Sequence, residues 1–388
     1  MKKYLIFFLV MLAGGGQSLH AVIWRVNNNP GVSHDFTSIQ AAVDAAHATN
    51  GDTIHVEGSV TPYDPSGVLI TKRVVILGPG YHLTVNPETQ HQKPSARVHN
   101  ITFNTGSEGS VLAGIEQQEV FTNGIVLTPT AGATVASIAV AVANWGGPRL
   151  IIGASNITIV NCKLNWVEIR NDAELSNIDI RKSWFCPGIV RTTGTEEVLN
   201  LNLVNNFFRN DGAASGYVVI DLHASTKANI VNNTFYGGFV VHARSNCRIS
   251  NNVFYGVHAR AATNLTTHVS NTYMGNISNI DLLGGMINGQ NSNTIRVTEA
   301  TEALSSTWFM ALGSIAAFDR YFRANTGATS PIRQAASAAN VQGELGMYGG
   351  LAPYALSGLT NIPAIYEIVM PSEVSADGFE VTVRVRAH

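Results

Sequence analysis

The 388-residue sequence predicts an all-β chain wound as a single-stranded parallel β-helix, and three observations lead there. The first is an internal repeat: "ITIVNCKL", "IDIRKSWF", "LNLVNNFF", "NIVNNTF", "CRISNNVF" and "THVSNTY" share alternating apolar residues, a polar corner and then an aromatic or leucine. The second is its spacing, with corner positions Asn161, Lys182, Asn205, Asn232, Asn251 and Ser270 separated by 21, 23, 27, 19 and 19 residues. The third is composition: 45% of residues are hydrophobic and only 13% charged, enough for a core under a polar, weakly charged surface.

A coil of about 20 residues made of short strands cannot bury its own apolar face, so it must stack on neighbours about 4.8 Å away. Ile157 and Ile159, Ile178 and Ile180, Leu201 and Leu203, Ile230 and Ile249 fall at matching positions and point to one side. Leu164, Phe185, Phe208, Phe235, Phe254 and Tyr273 are expected to form an internal stack. Asparagine suits the corner because it tolerates left-handed backbone angles, and its amide can bond to the rungs above and below.

Residues 1–21, "MKKYLIFFLVMLAGGGQSLHA", join two lysines to an apolar stretch and then to small residues, the pattern of a secretory signal peptide. A secreted or outer-surface protein with no membrane span after cleavage is the expectation. "DFTSIQAAVDAAHA" follows, with a Thr or Ser cap and Ile39, Ala42, Val43 and Ala46 at helical spacing. Such a helix would cover the first coil and protect an open sheet edge. The solenoid is expected over residues 22–285. Residues 286–388 form a closing segment, an irregular C-terminal cap, and end in two strands around "SADG", with Val381, Val383 and Val385 alternating against Arg384 and Arg386.

Cys162, Cys186 and Cys247 are odd in number and lack metal-ligand spacing, so they are expected as buried thiols. No cofactor or metal is predicted. A net charge of −2 without Lys/Arg runs argues against a nucleic-acid partner, and a monomer is expected.

Asp35 to Val56 and the "GPG" turn at Val74 to Gly80 resemble the opening of secreted right-handed β-helix proteins of the pectin lyase-like superfamily. "DRYFRANTGATSPIRQAA" and "GELGMYGGLAPYALSGLTNIPAIYEI" are similar to the closing stretch of secreted bacterial β-helix proteins. The resemblance implies a right-handed winding. It does not imply one activity, because the superfamily holds lyases, hydrolases, esterases and non-catalytic surface proteins.

A β-helix that handles a polysaccharide needs its polar groups on the outward side of one stacked sheet. The strand after each corner offers Glu168, Arg170 and Asp172, then Arg191, then Asp221 and His223, then His242 and Arg244, then His258 and Arg260. Spacing of i, i+2 places them on one face while Ile169, Leu222, Ala243 and Ala259 take the other. Arg170, Arg191, Asp221, Arg244 and Arg260 are the candidate substrate-binding residues, and His223, His242 and His258 the candidate proton-transfer groups. Trp145, Trp166, Tyr236 and Tyr255 are aromatics near corners, with Tyr236 and Tyr255 expected to stack on each other.

Two function classes follow. One is a non-catalytic secreted protein that binds carbohydrate or mediates cell-surface contact; the other is a lyase or hydrolase acting on an anionic polysaccharide. The first is favoured, because the aspartate pairs of polygalacturonases, the "LGRPW" turn of pectin methylesterases and a carboxylate cluster for calcium have no counterparts here.

Overall fold

The computed structural model describes residues 21–47, 51–86, 89–118, 148–210, 217–237, 239–243, 246–256, 272–278, 290–292, 295–296, 308–309, 319–327, 330–341, 343–360, 363–370 and 381–386. Residues 1–20, which hold most of the expected signal peptide, lie outside this set.

Alternating apolar residues become parallel strands because every coil pairs with the next. Among the described residues, eleven strands form one sheet, from Ile23–Val26 through Leu175–Arg181 to Gln290–Ser292. Its inward row runs in register through Ile54, Ile76, Leu112, Ile159, Ile180, Leu203, Ile230 and Ile249. A second sheet of fourteen strands bends. Trp184–Thr192 pairs through Trp184 and Phe185 with Phe207–Asn210, and through Val190 and Arg191 with Tyr217–Leu222. The coils therefore present three faces around one apolar core, the arrangement of a parallel β-helix.

On the second face Phe185, Phe208, Phe235 and Phe254 stack inward with centroids 4.6, 5.0 and 4.6 Å apart and rings within 15° of parallel. Leu164 precedes them in register with Phe185, as the repeat predicts. The last rung differs from expectation: Tyr273 is the register partner of Ile249 on the first face, and Ser278 is the partner of Phe254. Ser270 lies outside the described residues, and the corner after Asn251 is Gly275, at φ +59°. The physical reason is that the corner needs a left-handed residue, which glycine supplies more readily than serine.

The paired asparagines divide the work between them. The first of each pair, Asn205, Asn232 and Asn251, takes the left-handed conformation at φ between +54° and +56°, as does Asn161 ahead of Cys162. The second builds the buried ladder: Ser183 N, Asn206 N, Asn233 N and Asn252 N donate to the Oδ1 of Asn206, Asn233, Asn252 and Asn276 at 2.8–3.0 Å. Each Nδ2 in turn donates to a carbonyl of the preceding strand, Ile180, Leu203, Ile230 or Ile249. An interior that would otherwise strand backbone N–H and C=O groups at the turn is thereby satisfied.

The helix Ile39–Ala45 covers the first coil and buries Ile39, Ala42 and Val43. Ser38 caps it by accepting from Ala41 N at 3.1 Å, and the Asp64 carboxylate accepts from Ile39 N at 2.7 Å. Nearby, Asp52 is fully buried. Burial alone would raise its carboxyl, but hydrogen bonds from His47, Val22 and Trp24 outweigh burial and lower its pKa to about 2.

Described parts of the closing segment lie along the side of the solenoid. The outward row of the second face, Trp184, Phe207, Val253 and Ile277, forms a second apolar core with Phe309, Phe322, Ile332 and Met347. Residues 343–360 run back along the axis as a strap. Asn205 Nδ2 donates to the carbonyls of Met347 and Gly349, and Asn161 Nδ2 to that of Leu359. At its far end Tyr81 N donates to Ser357 O at 2.7 Å, and buried Asp319 accepts from Asn86, Tyr354 and Ser357. The first asparagine of the repeated phrase thus also anchors the strap. The terminal strands Ala364–Val369 and Thr382–Arg386 pair antiparallel, as the valine alternation predicts.

Candidate functional site

The third face carries one continuous outward row. Leu69, Thr102, Ile151, Glu168, Arg191, Asp221 and His242 are successive register partners on seven coils. Ile169, Leu222 and Ala243 point the other way and are fully buried, as alternation along a strand requires. Six steps of about 4.8 Å make the row about 29 Å long.

At its centre, Glu168 is only 5% exposed, and three arginines reach it. Arg191 Nη2 donates to Glu168 Oε2 at 2.9 Å, Arg149 Nη1 to the same oxygen at 3.3 Å, and Arg170 Nη2 lies 3.5 Å from Oε1. A buried carboxylate requires such partners, because isolated charge is costly in a low-dielectric interior. Arg149 and Arg191 come from the coils before and after Trp166 and lie over its ring, 4.9 and 4.6 Å from the centroid. The indole is thus held between two guanidiniums, all three arginines keeping 30–45% of their side chains exposed.

Further along the row, His242 Nδ1 lies 3.5 Å from Asp221 Oδ1, which orients the imidazole. His223 turns elsewhere: its Nδ1 is 2.9 Å from Ser225 Oγ and 3.3 Å from Ser225 N, so its ring closes a local turn. Arg244, His258 and Arg260 lie outside the described residues. On the other side of the arginines, a groove of about 390 Å³ is lined by Gln40, Leu69, Asn100, Thr102, Arg149 and Ile151. It continues the same row. A separate cavity of about 390 Å³, lined by His55, Glu57, His91, Ile365 and Ile368 among others, shares no residue with this row.

Sequence reasoning brought Arg170, Arg191, Asp221 and His242 to one face but missed Arg149 and its groove. The signal was present in "RLIIG", where Leu150 and Ile152 alternate inward and leave Arg149 and Ile151 outside. Tyr236 and Tyr255 do stack, 5.6 Å apart, yet Tyr255 is 2% exposed and packs on Trp308 and Phe309. These tyrosines belong to the second core. Among the described residues, no group of three or more His, Cys, Asp or Glu is placed to hold a metal ion, and no helix is long and apolar enough to cross a membrane.

No family profile, curated protein or solved structure matches the chain.

Proposed function

We propose that the chain is a secreted, right-handed parallel β-helix related to the pectin lyase-like superfamily, and that its third face binds an anionic polysaccharide or cell-surface glycan. The N-terminal "DFTSIQAAVDAA" and "GPG" phrases support the handedness and the kinship. The observation that carries the binding reading is the in-register outward row, with three partly exposed arginines and a tryptophan at its middle and an open groove leading into it. A stacked row suits a linear polymer because it repeats along one axis, and guanidiniums match carboxylate and sulfate geometry. In a chain with 13% charged residues, cations gathered on one coil and its two neighbours are selective placement.

Affinity electrophoresis in polygalacturonate, alginate and chondroitin sulfate tests this reading. Retarded migration in at least one gel is expected, relieved in Arg191→Ala. Unretarded migration in all three overturns it.

The Asp221–His242 pair favours a second reading, a lyase. There His242 Nε2 would take the proton from C5 of a uronate whose carboxylate is neutralised by arginine. The C4–O bond would then break as His242 passes that proton to the departing oxygen, leaving a C4=C5 double bond on one product and a hydroxyl on the other. Ultraviolet absorbance from new unsaturated ends, lost in His242→Gln, separates lyase from binder.

A further inference from the structure

Glu168 is an unexpected residue to find at the centre of an anion-binding face. A carboxylate there repels the ligand the face is built to hold, yet it is the best-buried charge of the row and bonds to every arginine around it. Charge matching alone requires one arginine. Three converge, and even when Asp221 is counted with Glu168, three guanidiniums face two carboxylates.

The donors left over point the same way. Trp166 Nε1 and Arg191 Nε are buried atoms with no hydrogen-bond acceptor among the described residues. Buried N–H groups left unpaired are destabilising, so native structures rarely keep them without a water or ligand. Both belong to the one indole–guanidinium stack, Arg191 lying over the Trp166 ring.

We propose that Glu168 is an internal counter-anion that positions Arg149, Arg170 and Arg191 as a preformed cage, and that the cage takes a second, external anion: the carboxylate or sulfate of an acidic sugar. Resting on the glycan-binding reading, this assigns the acidic unit to the middle of the row. An uncharged neighbouring unit is assigned to the groove of Leu69, Thr102 and Ile151, which offers apolar and hydroxyl contacts beside Arg149. Glu168 is a positioning residue: it fixes the guanidiniums so that little rotamer freedom remains to be lost when the ligand arrives. Its own charge sets an upper bound on affinity, which keeps attachment reversible.

The test is titration calorimetry of the full chain with sodium galacturonate and, separately, with sodium sulfate, on wild type, Glu168→Gln and Arg191→Ala. Glutamine keeps the shape and an acceptor but removes the competing charge, so Glu168→Gln should bind roughly tenfold tighter. Arg191→Ala should lose binding. Thermal melts at low salt give a second readout: Glu168→Gln should melt below wild type, with three arginines left without their anion. Either salt should then raise its midpoint more than it raises that of wild type. Galacturonate and sulfate arms distinguish a carboxylate from a sulfate source. Unchanged or weaker binding by a folded Glu168→Gln overturns the proposal, as does absence of binding by all three proteins. Binding of the small anions without any polymer binding would sink the glycan reading and leave the cage standing. Polymer binding indifferent to Glu168→Gln would do the reverse.

Discussion

Replacing Asn233 by alanine probes the rule that holds the turns of this chain together. Asn233 is fully buried; its Oδ1 accepts from Asn206 N at 2.9 Å, and its Nδ2 donates to Leu203 O at 2.7 Å, Val231 O at 3.1 Å and Asn252 Oδ1 at 3.1 Å. Alanine leaves the Asn206 N–H with no acceptor and removes a donor from Leu203 O, in an interior that water does not reach. At about 1–3 kcal/mol for each orphaned buried group, a loss of about 2–6 kcal/mol is expected. The matched control is Asn177→Gly, on an exposed ladder where Asn177 Nδ2 donates to Asn156 Oδ1 at 2.9 Å and its Oδ1 accepts from Asn200 Nδ2 at 3.1 Å. Glycine retains the φ of +57° that Asn177 adopts, and water replaces the lost bonds, so that change should stay below about 1 kcal/mol. Urea unfolding followed by far-ultraviolet circular dichroism measures both. If Asn233→Ala is no more harmful than Asn177→Gly, the buried ladder is not what stabilises the corners.

Three further outcomes follow from the geometry. Gly358 has φ +55°, and a Cβ there would sit 2.3 Å from a Tyr81 ring carbon and 2.5 Å from Asn161 O, so Gly358→Ala should free the strap. Limited proteolysis should then cut between residues 343 and 360, and equal protection in both proteins would refute the packing. Asp52, at about 2 when folded against 3.8 otherwise, contributes about 2 kcal/mol that is present above about pH 4 and lost as pH falls through 2. The gap in melting temperature between wild type and Asp52→Asn should accordingly close on acidification, and a gap that widens instead would contradict the assignment. Burial raises the Cys162 thiol to about 12, so iodoacetamide should label it only in denaturant; labelling of the native protein would show that the core opens there.

Much of the solenoid was legible because its physics is periodic. Ile159, Ile180, Leu203, Ile230 and Ile249 alternate as a half-buried strand must, and Phe185, Phe208, Phe235 and Phe254 follow the corner by a fixed count. The reading slipped at Tyr273, where an aromatic after "SN" imitated the phrase while the left-handed corner had moved on to Gly275. Nor could the sequence divide labour between paired asparagines, since Asn232 and Asn233 differ only in which way each side chain faces. At the candidate site, Glu168, Arg170, Arg191, Asp221 and His242 were visible from i, i+2 spacing. Arg149 stands outside the repeated phrase and was not. The strap left the weakest trace: Tyr81 and Tyr354 meet across 273 residues, a contact no local pattern encodes.

That contact changes how the molecule comes apart. A bare solenoid unzips coil by coil, because each layer touches only its neighbours. Here a tether fixed to Asn251 O through Gly346 N, and to Gly78 O through Thr360 Oγ1, spans the stack like a bowstring. No middle layer can peel without breaking bonds at both ends, which turns a sequence of small losses into one cooperative event. Assembly has the same logic in reverse: coils can form as they are made, but the structure locks only when residue 360 is in hand.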